Sequence, residues 1–393
     1  MNDFLKEEEK LFLQTYNRIP VNISHGDGVH LIAKDGTRYL DFIGGLGVNA
    51  LGHAHPGIAA AIIKQSNKFS HISNYFITDI QLEFTAKLLK YSNMSKAFLT
   101  NSGAEAVEAA IKAIRRLRGC DGKIFSLTNS YHGRTYGALS LTDRENYKTG
   151  FEPLLPNIST IIFNNTEDLE RKIDENTVAV FVEFLQGESG INLISSQFIK
   201  LLKDLKHKYN FAIIADCIQS GIGRTGKPFA FNHFEITPDI VLVAKSIGGG
   251  LPLGAMLTKG EFDNSFLYGT HGTTFGGNPV SCAAGLIVLN EVFENGLMQN
   301  AAEIGNYLKN ELEELKNRFP DKIKDIRGLG FMIGVEMNDN CNLLVQELMQ
   351  RKILTNCTNK NVLRLLPPLI TNKNNVDFFL YNFHEIVKNN SGY

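Results

Sequence analysis

At 393 residues, 43% of them hydrophobic and 21% charged, the chain has the composition of an ordinary globular protein with room for a large domain and a smaller one. A formal net charge of −1 gives no electrostatic reason to expect nucleic acid or an anionic membrane as a partner. No run of about eighteen apolar residues occurs, which excludes an ordinary transmembrane helix.

The first ten residues, Met1 to Lys10, are acidic and lack an apolar core, so they do not read as a secretory signal. The five cysteines (Cys120, Cys217, Cys282, Cys341 and Cys357) are odd in number and contain no C-x-x-C pair. Reduced thiols in a reducing compartment, and hence a cytoplasmic location, are the expectation.

Residues 20–44 carry short strand-and-turn signals, with turns at Gly26-Asp27-Gly28 and Lys34-Asp35-Gly36-Thr37. From residue 50 onward, apolar runs alternate with amphipathic helical stretches. The runs are Ala97 to Leu99, Lys123 to Leu127, Ser159 to Phe163, Val178 to Phe184, Phe211 to Ala215, Ile240 to Ala244 and Ala255 to Leu257. Several are continuous rather than alternating, as strands covered on both faces are. Their alternation with helices predicts an α/β architecture with a mainly parallel central sheet, forming a large domain over 50–275. After Gly276-Gly277-Asn278-Pro279 come a long helical stretch, a strand over 328–335, a helix near 341–351 and a closing strand at Val362 to Leu365. Segments 1–49 and 276–393 are expected to join in a smaller α+β domain, ending in an Asn-rich solvated tail.

Several segments carry chemistry. Thr100-Asn101-Ser102-Gly103-Ala104-Glu105-Ala106 follows a strand and opens a helix, whose free N–H groups suit an anion such as phosphate; a well-capped structural helix reads the same way. In Ser130-Tyr131-His132-Gly133-Arg134-Thr135, Tyr131 suits stacking on a flat heterocycle and Arg134 suits a carboxylate, although a plain surface loop is equally compatible. Glu183 and Glu188 flank a turn, and no His cluster supports a metal, so no metal site is expected. Ile213-Ile214-Ala215-Asp216 ends an apolar strand in a carboxylate, and the glycines after Gln219 argue against prompt helix capping by Asp216. The next strand ends at Ala244-Lys245, before Gly248-Gly249-Gly250.

An isolated buried ammonium is costly, so Lys245 reads as functional. Ligands of α/β sheets sit outside the carboxyl ends of the strands, which aims Asp216 and Lys245 into one crevice. A lysine that forms a Schiff base and a carboxylate that keeps a pyridine nitrogen protonated are what pyridoxal phosphate chemistry needs. His132 is not assigned as a general base, because such a lysine can move the proton itself. Arg364, in Leu363-Arg364-Leu365-Leu366-Pro367, ends an apolar run and needs a partner if it faces the cleft, with Glu188 or Glu183 as candidates.

Taken together, these segments resemble the class III (ornithine/acetylornithine-type) aminotransferases, fold-type I enzymes dependent on pyridoxal 5'-phosphate. The resemblance runs from Asp41-Phe42-Ile43-Gly44-Gly45 and Asn49-Ala50-Leu51-Gly52-His53-Ala54-His55-Pro56 to Arg364. The Asn49–Pro56 run, the Tyr131 loop and His271-Gly272-Thr273-Thr274-Phe275-Gly276-Gly277-Asn278-Pro279 are most similar to the acetylornithine branch.

The resemblance implies that Lys245 carries the cofactor and shuttles the proton, Asp216 pairs with the pyridine nitrogen and Gln219 with the phenolic oxygen. Tyr131, usually Phe in the family, would stack on the ring. Ser102, Gly103 and Ala104 would hold the phosphate from one subunit and Thr274 from the other, in a homodimer. Arg134, with Thr273 nearby, would bind the α-carboxylate of acetylornithine. Arg364 would take that of glutamate or 2-oxoglutarate, and Glu188 would pair with Arg364 when other substrates bind. The implied reaction moves the δ-amino group of N-acetylornithine to 2-oxoglutarate. Ornithine, succinylornithine, succinyldiaminopimelate or 4-aminobutyrate as donor, an aminomutase, and a non-catalytic descendant are the alternatives. Two positions depart from the family: Cys217, where a Glu is usual, and Phe184, where a Pro is usual.

Overall fold

A computed structural model describes residues 3–389; Met1 and Asn2 of the acidic N-terminus and Asn390–Tyr393 of the Asn-rich tail lie outside the described residues. The described residues form seventeen strands. β1 (Ile23–Asp27), β2 (His30–Ala33) and β3 (Arg38–Asp41) precede β4 (Lys96–Thr100), β5 (Lys123–Leu127), β6 (Ile158–Ile161) and β7 (Thr177–Val182). Then come β8 (Leu185–Gln186), β9 (Asn192–Leu193), β10 (Ala212–Asp216), β11 (Ile240–Val243) and β12 (Gly254–Thr258). β13 (Ile323–Leu329), β14 (Met332–Met337), β15 (Ile353–Leu354), β16 (Asn356–Thr358) and β17 (Val362–Leu365) complete the series.

The central sheet has seven strands in the order β4-β12-β11-β10-β7-β5-β6. The pairs β11–β10, β10–β7, β7–β5 and β5–β6 are parallel, whereas β12 runs antiparallel to both its neighbours. Two reversals return β4 to the direction of β11, so the ends of β4, β5, β7, β10 and β11 open on the same edge. The period of two along each strand splits the sheet residues between two cores. Val180, Val182, Ile213, Ala215, Val241 and Val243 meet the helices Asp79–Ser92, Ser196–Tyr209 and Pro279–Phe293. Ala179, Phe181, Ala212, Ile214, Ile240 and Leu242 meet the helix Gly103–Arg118. That helix presents Ala106, Ala109, Ala110 and Ala113, all fully buried, so its backbone lies close on the sheet.

Of the remaining strands, β8 and β9 pair as a two-stranded antiparallel ribbon, and the other eight build two four-stranded sheets around a third core. β1-β2-β3-β15 joins the N-terminal segment to the C-terminal region through the parallel β3–β15 pair, and β13-β14-β17-β16 is antiparallel throughout. Val29, Leu40 and Phe42 share this core with Leu308, Leu312, Ile333, Leu363, Phe379 and Phe383.

Two expectations are corrected. Residues 328–335 are not one strand: β13 ends at Leu329 and β14 begins at Met332, because Gly330 takes a φ of +53° that turns the chain. Nor are all five cysteines free thiols. Cys341 and Cys357, 16 residues apart, are disulfide-bonded with Cα atoms 5.8 Å apart, while Cys120, Cys217 and Cys282 are free. The fold joins them by laying β16 beside the start of the helix Asn342–Gln350, which spacing alone does not reveal. No single helix among the described residues is long and apolar enough to cross a membrane, and the pair Pro279–Phe293 and Leu297–Arg318 bends by 57° at its break.

Candidate active site

A cavity of about 480 Å³ opens at the carboxyl edge of the central sheet, and the strand ends supply its lining. Asp216 closes β10. Its Oδ1 accepts from the Ile218 backbone N–H at 3.0 Å, and its Oδ2 lies 2.7 Å from Nδ1 of His132. Lys245 follows β11, the neighbouring strand, and its backbone sits at a φ of +51°, a left-handed value uncommon for lysine. Burial pushes the Lys245 ammonium below its ordinary pKa; Glu188, Asp216 and Glu183 oppose that shift, and Arg364 adds to it.

His132 is enclosed beneath Asp216, and its Nε2 is buried without a hydrogen-bond partner among the described residues. Burial alone would lower the pKa of the imidazole, but the hydrogen bond and charge of Asp216 outweigh it and the net direction is upward. Glu183, just past β7, accepts the Tyr131 backbone N–H at 2.9 Å, and burial pushes its carboxyl up to about 7. Asp216, His132 and Glu183 thus lie close together along one side of the cavity.

The helix Gly103–Arg118 aims its N-terminus at the same space. Ser102 is its cap, with Oγ accepting from the Glu105 N–H at 3.2 Å, and Asn101 donates from its backbone and its amide to the Glu105 carboxylate. Gly103 is required for packing: a Cβ there would come within 2.7 Å of Ile218 Cδ1. Gln219 reaches the Leu46 carbonyl and Glu188 Oε1 only at 3.5 Å each, and its Oε1 is buried with no partner.

Tyr131 and Arg134 line the mouth. The Arg134 guanidinium lies 3.4 Å from the ring centroid of Tyr147 and 5.8 Å from that of Tyr131. Arg364, on β17, is 2% exposed; its Nη1 donates to Glu188 Oε1 at 2.6 Å and its Nε to Asn356 Oδ1 at 3.3 Å. Burial works to raise the Glu188 carboxyl, but Arg364 prevails and holds it below its ordinary value.

Of the residues singled out from sequence, Ser102, Gly103, Ala104, Tyr131, Arg134, Glu188, Asp216, Gln219 and Lys245 all face this one cavity. Arg364 lies behind it, joined through Glu188. Thr273 borders it, with Oγ1 accepting from Asn101 Nδ2 at 3.1 Å, and Thr274 is exposed outside the lining of its own chain. Cys217 turns the other way, into the large core beside Phe229 and Ala230, where burial raises its thiol. The backbone N–H groups of Ala230 and Phe231 face it, a niche that would suit a carboxylate as well. Phe184 packs against Phe231 and Phe234 in the same core.

Sequence reasoning missed three neighbours of the site. The contact of His132 with Asp216 was within reach, since His132 lies beside Tyr131; Tyr147 and Asn356 carry no local signal and arrive only by folding.

The donor set fits pyridoxal 5'-phosphate. An amine stands beside a strand-end carboxylate, an amide lacks a partner on its buried side, an aromatic ring flanks the space, and a capped helix of sixteen residues offers N–H groups for a phosphate.

The family model described as aminotransferase class-III matches residues 12–387. The chain is 41% identical to an acetylornithine aminotransferase of Clostridium acetobutylicum, over 96% of this chain and 98% of that one. It is also 41% identical to an acetylornithine aminotransferase of Methanocaldococcus jannaschii, over 96% of each. Among solved structures, the ornithine aminotransferase of Toxoplasma gondii superposes with a TM-score of 0.94 at 30% identity, over 98% of this chain and 94% of that one.

Proposed function

Because the chain belongs to the class III aminotransferases, which use pyridoxal 5'-phosphate, we propose that it transfers the δ-amino group of N-acetylornithine to 2-oxoglutarate, yielding N-acetylglutamate 5-semialdehyde and glutamate. The observation that carries this reading is a pair of guanidinium groups in different states beside one cavity. Arg134 stands at the mouth with no carboxylate partner among the described residues, whereas Arg364 is neutralised by Glu188. A site serving a distal amine and an α-amino acid in turn needs one anchor always ready and a second that can be withdrawn.

Bound pyridoxal phosphate supplies the electron sink for exchanging nitrogen between the two substrates. Lys245 would attach the cofactor and move the proton at the reacting carbon. Asp216, oriented by Ile218 N–H and His132, holds the pyridine nitrogen; Gln219 holds the phenolic oxygen; Tyr131 covers the ring. The helix N-terminus at Ser102, Gly103 and Ala104 binds the phosphate, joined by Thr274 from a second copy of the chain in a homodimer. Arg134, beside Thr273, takes the α-carboxylate of N-acetylornithine. Arg364 takes that of 2-oxoglutarate or glutamate when Glu188 releases it.

The test is the visible absorbance of the cofactor-loaded protein. N-acetylornithine without acceptor should bleach the band and 2-oxoglutarate should restore it, and Lys245→Ala should abolish both changes and turnover. A band insensitive to every amine overturns the assignment. The structural likeness to an ornithine aminotransferase favours ornithine as a second reading for the donor. The ratio of kcat/KM for N-acetylornithine to that for ornithine decides between them.

A further inference from the structure

Arg364 and Glu188 sit on different elements, and both are held by one short strand. β16 is a three-residue edge strand paired, among the described residues, with β17 alone, with Asn356 opposite Arg364, Cys357 opposite Leu363 and Thr358 opposite Val362. Asn356 accepts from Arg364 Nε, and Thr358 Oγ1 donates to the backbone carbonyl of Glu188. Arg144 Nη2 donates to the same carbonyl at 2.7 Å. The residue between them, Cys357, is bonded to Cys341 at the cap of the helix Asn342–Gln350. A strand this short on a sheet edge has few ladder bonds of its own, so its register depends on what ties it at the sides.

We propose that β16 positions the Arg364–Glu188 pair, with Asn356 and Thr358 as positioning residues and the Cys341–Cys357 bond as the tether that keeps the strand in place. When Glu188 leaves Arg364 for an incoming carboxylate, Nη1 changes partner while Nε stays on Asn356, so the guanidinium keeps its plane. The amide oxygen of Asn356 is neutral and does not compete for the charge as a second carboxylate would. Thr358 and Arg144 fix the backbone of Glu188, which confines its release to a side-chain rotation. Opening the tether takes two electrons and two protons from a dithiol, which leaves as its own disulfide, and yields two thiols on the protein.

This inference rests on the proposed role of Arg364 in binding the acceptor, and the test separates the two. Asn356→Ala should raise KM for 2-oxoglutarate about tenfold, the loss of one hydrogen bond to a charged group, and leave KM for N-acetylornithine within about twofold. Thr358→Val, Cys357→Ser and wild-type protein opened with dithiothreitol should move KM for 2-oxoglutarate in the same direction, by roughly threefold each. An intact cofactor absorbance band verifies the fold of each variant, and Asn356→Ser serves if the alanine variant does not accumulate. Equal changes for both substrates, or none, in the Asn356 variants overturn the positioning role. Unchanged kinetics in Cys357→Ser and after reduction overturn the tether. Arg364→Ala is the control. If it spares KM for 2-oxoglutarate, the reading of Arg364 itself fails; if it raises KM while Asn356→Ala does not, only the present inference fails.

Discussion

Glu183 shows how one buried carboxyl couples the site to pH. Burial lifts it to about 7 from an ordinary 4.5, so between those pH values the folded protein tends to keep a proton there that the unfolded chain releases. A carboxyl raised in this way stabilises the fold at low pH relative to high, and that contribution is lost as pH rises from about 4.5 through about 7. Glu183→Gln keeps an oxygen for the Tyr131 N–H but cannot titrate. Thermal melts from pH 5 to 8 should therefore fall less steeply for the variant, with a difference of at most about 3 kcal/mol across the window. Parallel curves would place the titration elsewhere.

That Asp216 and Lys245 line one cavity was legible in the sequence because each closes an apolar strand of an α/β sheet, and such strand ends open on a common crevice. The residues alone left Glu188 and Glu183 equal as the neighbour of Arg364, since both follow the same strand, and only the family resemblance pointed to Glu188. The turn at Gly187 sends one carboxylate toward β17 and leaves the other under Tyr131.

Among elements, the helix Gly103–Arg118 joins packing to chemistry most directly. Its alanine face rests on the sheet and so sets how far its N-terminus projects into the cavity. Ala110→Leu would force added volume into that contact and destabilise the protein by about 1–3 kcal/mol. The same displacement would withdraw Ser102 and Gly103 from the cavity, and equilibrium dialysis should show weaker retention of pyridoxal phosphate. A lower melting temperature with unaltered retention would separate packing from the binding site. The seven central strands were readable from their continuous apolar runs. The antiparallel course of β12 was not, because a buried run carries no direction, and the turn at Gly330 was hidden inside an apolar segment.

For the molecule as a whole, the exposure of Thr274 away from its own cavity is what a site shared between two copies would need. Tyr75, Ile77 and Tyr268, 95%, 84% and 107% exposed, are large apolar side chains left uncovered on a single chain. Mixing two weakened variants tests the sharing. A dimer of one Lys245→Ala chain and one Thr274→Ala chain holds one site with both native residues, so random reassociation should return about a quarter of wild-type activity. No recovery would mean that each chain completes its own site. Fold class was readable from the order of strands and helices, whereas the proposed subunit sharing came from the family resemblance alone, because the pattern of one chain does not say which surface would meet a second copy.

The closed Arg364–Glu188 pair also carries a kinetic meaning. In the proposed cycle Glu188 is a tethered competitor for the acceptor's place, present at a local concentration that dilution cannot lower. Every 2-oxoglutarate molecule must outbid a ligand built into the chain, so acceptor affinity becomes a ratio of two carboxylates on one guanidinium. Discrimination between the two substrates then needs no second pocket, only one rotating side chain whose resting position favours the donor.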